Sequence, residues 1–184
     1  MVMSELSSPT KHREIQAFFN FFSTFKLARP VSVVSDLADG AALFQVLSLV
    51  YDLYIQILAS VLTIINSDQS YFRQPPRSST QPSENWVLRF SSLKRLYRLM
   101  TQYFADVLQK PTSSLDVPDL QAIAKDHSLS ATLTMCRLTL VIGVQCEKNE
   151  EFIDKIRDLS ETDQHYLMKA IEQVNPPLQT HPLY

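Results

Sequence analysis

The chain has 184 residues, of which 45% are hydrophobic and 20% charged, with a formal net charge of −2. That length supports one domain with its own core, and the usage is that of a globular chain rather than a disordered one. The near-neutral charge supplies no overall field that would draw in nucleic acid or a membrane surface.

Glycine narrows the class further. Its two occurrences, Gly40 and Gly143, form no phosphate-cradling loop, so an α/β nucleotide-binding enzyme is disfavoured. Ten prolines fall between periodic segments, as helices joined by proline-marked connections require. The two cysteines, Cys136 and Cys146, lie on one apolar stretch too far apart to bridge, which predicts buried thiols in a reducing compartment. Met1–Lys11 is polar and has no signal-peptide core, so the expected setting is cytoplasmic.

In chain order, residues 1–9 read as a flexible polar leader. Pro9 and Thr10 open a helix whose Ile15, Phe18, Phe19, Phe22 and Phe25 recur at helical spacing, forming one wall of a core. Pro30 is expected to end that helix and Val31–Ser35 to run extended. Ser35 or Asp36 is the expected cap of a buried helix over Ala41–Val50. Residues 50–64 prolong the apolar run. A membrane span over 43–65 is one reading, opposed by Asp52, Gln45 and Gln56 and by the lack of flanking cations, so no span is expected. An inserted, partly buried helix and an intron read through into the coding sequence both remain open. Residues 66–84, rich in Pro, Ser and Gln, read as a flexible loop.

Order resumes at Asn85-Trp86. Trp86, Leu88, Phe90, Leu93, Leu96 and their periodic successors through Leu108 predict a long amphipathic helix starting near Ser91. Its polar side carries Arg89, Lys94, Arg95 and Arg98. These form either a solvated face or a contact for an acidic polymer such as the tubulin surface. Pro118 suits the first turn of a short helix holding Ile123. Thr132–Cys146 is apolar almost all round. A helix of that kind is buried on every side, and the alternative of a buried strand over Leu138–Val144 finds no partner strands elsewhere. This stretch is the predicted central helix of an all-α fold. A final helix, capped by Ser160 or Thr162, presents Leu167, Ala170, Ile171 and Val174 inward, with Gln164 on the border of that stripe. The region between 175 and 184 reads as a tail.

No catalytic arrangement emerges. His12, His127, His165 and His181 have no ligand partners at metal-binding spacing, and the cysteines sit in apolar surroundings that make thiols inert. Glu147, Glu150, Glu151 and Asp154 read as a solvated helix start. The chain is expected to be no enzyme and to need no cofactor or metal.

Three segments are familiar as a set. "VSDLADGAALFQVL" after a Phe-rich helix resembles the opening of the calponin-homology-like domain of the Hook family, although Phe21 or Phe22 stands where that family often has Trp. "ENWVLRFSSLKRLYRLMTQYFADVL" and "MCRLTLVIGVQCEKNEEFIDKIRDLSETDQHYLMKAIEQV" resemble two further, more specific segments of the same family. The resemblance implies an all-α, calponin-homology-like helical domain over residues 10–174 with an additional C-terminal helix. It also implies a dynein adaptor that binds a helix of the dynein light intermediate chain and supports microtubule-based cargo transport and cytoplasmic microtubule organisation, with no nucleic-acid partner. Gln164 and Ile171 match the family's binding positions, and geometry adds His165 and Met168 beside them. The implied localisation is cytoplasmic and cytoskeleton-associated. The family continues into a dimerising coiled coil. This chain reaches Tyr184 without heptads, so it is expected to be a fragment or a truncated coding sequence.

Overall fold

A computed structural model describes residues 9–48, 84–146 and 149–174. The segments read as leader, insertion, proline-rich loop and tail, and most of the 43–65 run, lie outside the described residues. Helices account for nearly all the regular structure, and no strand occurs among the described residues. In chain order they are α1 (Pro9–Ser23), α2 (residues 41–48), α3 (Trp86–Asp106), α4 (Leu120–Asp126), α5 (Leu129–Gln145), α6 (Asn149–Arg157) and α7 (Glu161–Val174). A 3₁₀ turn at Val34–Leu37 precedes α2, and another at Thr112–Ser114 precedes α4.

The apolar stretch does form the central helix. The turn at Val34–Leu37 and helices α1, α3, α4, α6 and α7 all pack on α5. Its Leu133, Met135, Cys136, Leu140, Val141 and Ile142 are buried. The hydroxyls inside this helix cost little, because they bond within it: Thr132 Oγ1 donates to the Ser128 carbonyl and Thr139 Oγ1 to that of Met135. Arg137 is held by α1, whose buried Glu14 accepts both Nε–H and Nη2–H at 2.6 and 2.7 Å. A two-pronged pair of this kind meets the desolvation cost with matched geometry.

Helix α6 crosses α5 at Gly143. A Cβ there would lie 2.3 Å from the Phe152 ring, so only glycine lets the two helices approach this closely. Phe152 also joins Phe21 and Phe25 in an aromatic cluster, and Lys155 reaches over the Phe25 ring to donate to the Thr24 carbonyl.

Several boundaries differ from the sequence expectation. Helix α1 ends at Ser23, well before Pro30, as Ser23 and Thr24 hydroxyls turn back onto the Asn20 and Phe21 carbonyls. The cap of α2 is Asp39, which accepts from the Ala41 N–H and pairs with Arg29. Asp36 instead folds the preceding connection by accepting from the Ser32 and Val33 N–H groups. Between Asp39 and Ala41, Gly40 takes φ +72°, a left-handed turn that favours glycine. Helix α3 starts five residues before the expected Ser91, at Trp86, because Asn85 Oδ1 accepts from the Val87 N–H. Its first turn therefore projects outward, and Trp86 and Leu88 are exposed rather than packed. Pro118 precedes α4 instead of entering it, since Asp119 supplies the cap through the Ala122 N–H.

Candidate partner-binding surface

Helix α7 begins in a hydrogen-bonded knot. Ser160 Oγ accepts from the Asp163 N–H and donates to Asp163 Oδ2, which makes Ser160 the cap and leaves Thr162 inside the helix. The same Asp163 oxygen accepts from Asn20 Nδ2 of α1 at 2.9 Å. Sequence reasoning missed this tie, although Ser-x-x-Asp ahead of an apolar run is a readable capping pattern.

Gln164, read from sequence as an anomalous polar residue beside the apolar stripe, has an internal reason to be there. Its Nε2 amide donates to the Leu159 carbonyl at 2.8 Å and to the Arg157 carbonyl at 3.1 Å. These carbonyls belong to the end of α6 and the turn after it, where groups of this kind lack intrahelical partners. The amide can face them only nitrogen-first, which turns Oε1 away from α6.

From Gln164 the helix presents a shoulder. Met168, four residues on, is 51% exposed, and Ile171, three further, is half-buried against the core. Leu167 and Ala170 beside them are fully buried. The result is a short apolar ledge with a polar residue at its head, open to solvent at Met168. His165 is exposed at the edge and stands edge-on to Tyr166. Gln164, Met168 and Ile171 share one side of α7, while His165 lies round the helix from them.

The basic face of α3 divides. Lys94, Arg95 and Arg98 are exposed, and no ion pair engages them among the described residues. Arg89 is half-buried and committed to the fold, donating from Nε to the Ala124 carbonyl at the end of α4 and from a terminal nitrogen to that of Glu84.

Both cysteines are buried thiols, and Cys146 Sγ donates to the Gly143 carbonyl. Burial, reinforced by the charge of Glu14 and opposed by Arg137, raises the Cys136 thiol far above its ordinary range. Among the described residues no group of three or more His, Cys, Asp or Glu side chains could hold a metal ion. No single described helix is long and apolar enough to cross a membrane. A small hollow lined by Thr134, Arg137, Leu115 and Val174 lies beside the buried ion pair rather than at the α7 ledge.

Comparison with known proteins places this architecture. The HOOK domain family model matches residues 13–173. Protein Hook homolog 2 of Xenopus laevis is 29% identical over 92% of this chain and 21% of its own length. Human Protein Hook homolog 3 is 28% identical over 86% of this chain and 20% of its own. The solution structure of the conserved domain of the mouse HOOK1 protein superposes with a TM-score of 0.66 at 27% identity, covering 88% of this chain and 90% of that one. The chain thus spans about a fifth of the length of the relatives it matches. With the family match running from α1 to the last turn of α7, and a solved HOOK1 domain superposing on it, this chain belongs to the HOOK domain family.

Proposed function

We propose that the domain is an adaptor module that receives a helix of the dynein light intermediate chain on the α7 ledge, supporting microtubule-based cargo transport and cytoplasmic microtubule organisation. The observation that carries this reading is the ledge itself. Met168 is half exposed beside a partly covered Ile171, with Gln164 at one end and His165 at the edge. An incoming amphipathic helix would lay its apolar face along Met168 and Ile171, in the helix-on-groove mode that uses spaced apolar anchors. Methionine adapts to such a surface because its unbranched thioether repacks at little cost. The reading is one of a binding module without cofactor or metal, acting in the cytoplasm at the cytoskeleton.

The test is a calorimetric titration of the domain with the light intermediate chain helix peptide. Met168→Lys should reduce affinity at least about tenfold, since a charge would face an apolar partner surface, while the thermal midpoint stays put. Unchanged affinity would remove the ledge from the site.

A second reading has its own support. Lys94, Arg95 and Arg98 form an exposed cationic row on α3, suited to the acidic surface of microtubules. Arg89, already committed to α4, adds nothing free to that row. Reversing Arg95 and Arg98 to Glu should abolish co-sedimentation with microtubules without affecting the peptide titration. Undiminished sedimentation would dispose of this reading.

A further inference from the structure

We infer that Gln164 is a positioning residue that clamps the elbow between α6 and α7 and thereby sets the height of the ledge, rather than a residue that grips the partner through its amide nitrogen. The inference rests on the reading of α7 as the docking surface and refines how one of its residues acts.

Helix α6 is only nine residues long, too short to persist on its own in water. Its N-terminal half is fixed by Phe152 against Gly143, and its last turn by the buried Ile156 and by Lys155 on Thr24, which leaves the carbonyls beyond that turn to be satisfied. The carboxyl end has no glycine to close it in the left-handed turn that commonly satisfies terminal carbonyls, because the residues after Arg157 are Asp158, Leu159 and Ser160. The side chain of Gln164 takes over that task. Both of its bonds go to carbonyls at this end, one to Arg157 and one to Leu159. They lock α7 at a fixed angle to α6, and Met168 and Ile171 follow on the same side of α7 as the clamp. On the other flank Asp163 holds α7 to Asn20 of α1. Leu167 and Ala170 attach α7 to the core, two polar ties flank the ledge, and Gln164 is the one on its own face. Having spent its donor on the elbow, Gln164 has only its carbonyl oxygen to offer a partner.

Side-chain chemistry separates clamp from contact. Lysine and arginine can donate to both carbonyls but carry no acceptor. Glutamate has nearly the glutamine shape but, when ionised, only acceptors, and methionine can do neither to any useful extent. Amide hydrogen exchange at Asp158, Leu159 and Gln164 reads the elbow, and the light intermediate chain peptide reads the ledge. Gln164→Met and Gln164→Glu should speed exchange at the elbow by about tenfold and weaken the peptide by a similar factor, in keeping with two lost hydrogen bonds. Gln164→Lys, or Gln164→Arg should the lysine variant fold poorly, should restore slow exchange and bring affinity back to within about threefold of the parent. A donor-bearing variant that exchanges slowly yet fails to bind would overturn the inference in favour of direct contact through Oε1. Elbow exchange that is unchanged in Gln164→Met, or still fast in both donor-bearing variants, would overturn the clamp itself. If Met168→Lys binds normally, the docking reading fails, while the exchange results still decide the clamp.

Discussion

Helix α5 buries eleven of its seventeen residues, whereas α7 buries only Leu167 and Ala170 of its fourteen. The two are in contact, yet they answer to different constraints. On α5 most side chains are enclosed by protein, so they are explained by volume, by hydroxyls returned to the backbone and by one internal ion pair. On α7 the buried pair explains the attachment of the helix and leaves the identity of Met168 unaccounted for by packing. A half-exposed large apolar side chain beside a partly covered isoleucine points outward, to something other than the core. Position in the fold thus separates residues that make the domain from residues it leaves at its surface.

The sharpest way to break this contrast is to disturb α5. Arg137→Met leaves Glu14 buried without its partner and should cost about 3–5 kcal/mol, read as a fall in the denaturation midpoint. Adding Glu14→Leu to it should recover most of that loss, because the stranded charge is gone. A single variant as stable as the parent would show that the ion pair is no part of what holds α1 to α5. A smaller effect is expected at Gly143→Ala, where the new methyl group collides with the Phe152 ring and forces α6 outward, costing about 1–3 kcal/mol. Phe152→Leu in the same chain should relieve part of the strain, and strict additivity of the two costs would argue against their contact. The smallest effect belongs to α7. Met168→Ser should shift stability by no more than about 0.5 kcal/mol, as surface substitutions do, and a larger loss would count Met168 with the core instead of the proposed docking ledge.

Much of the fold was legible because its signals are local. The period of Ile15, Phe18, Phe19, Phe22 and Phe25 announced α1, and the lack of any polar face announced α5. Phe21 escaped that reading. It stands three residues after Phe18 and four before Phe25, on the same stripe, and it is buried against Phe25 and Phe152. Caps were harder. Asp36 and Asp39 are equally good capping types, and the choice fell to Asp39 through the left-handed turn at Gly40, a tertiary outcome where Leu93 and Leu96 crowd the glycine. Asn85 carried a standard capping signal that starts α3 one turn earlier than its hydrophobic pattern suggests.

The candidate site was legible in part. The spacing of Gln164, Met168 and Ile171 puts them on one side of a helix, and the structure keeps them there. Their partners were not legible. Nothing near Gln164 in the sequence says that its amide will turn back to Arg157 and Leu159, and nothing near Arg137 names Glu14, more than a hundred residues away. Arg89 shows the same limit, counted with a solvated basic face until the Ala124 carbonyl is seen to hold it.

The bond between Asn20 and Asp163 spans 143 positions and joins the first described helix to the last described one. As the chain leaves the ribosome, the phenylalanine-rich face of α1 emerges well before α7, one of the helices that covers it. Closing so long a span carries an entropic cost that must be met before the contacts return anything. Until α7 arrives, that aromatic surface is open to chaperones or to other nascent chains, so the segment that completes the domain also controls when it is safe from aggregation.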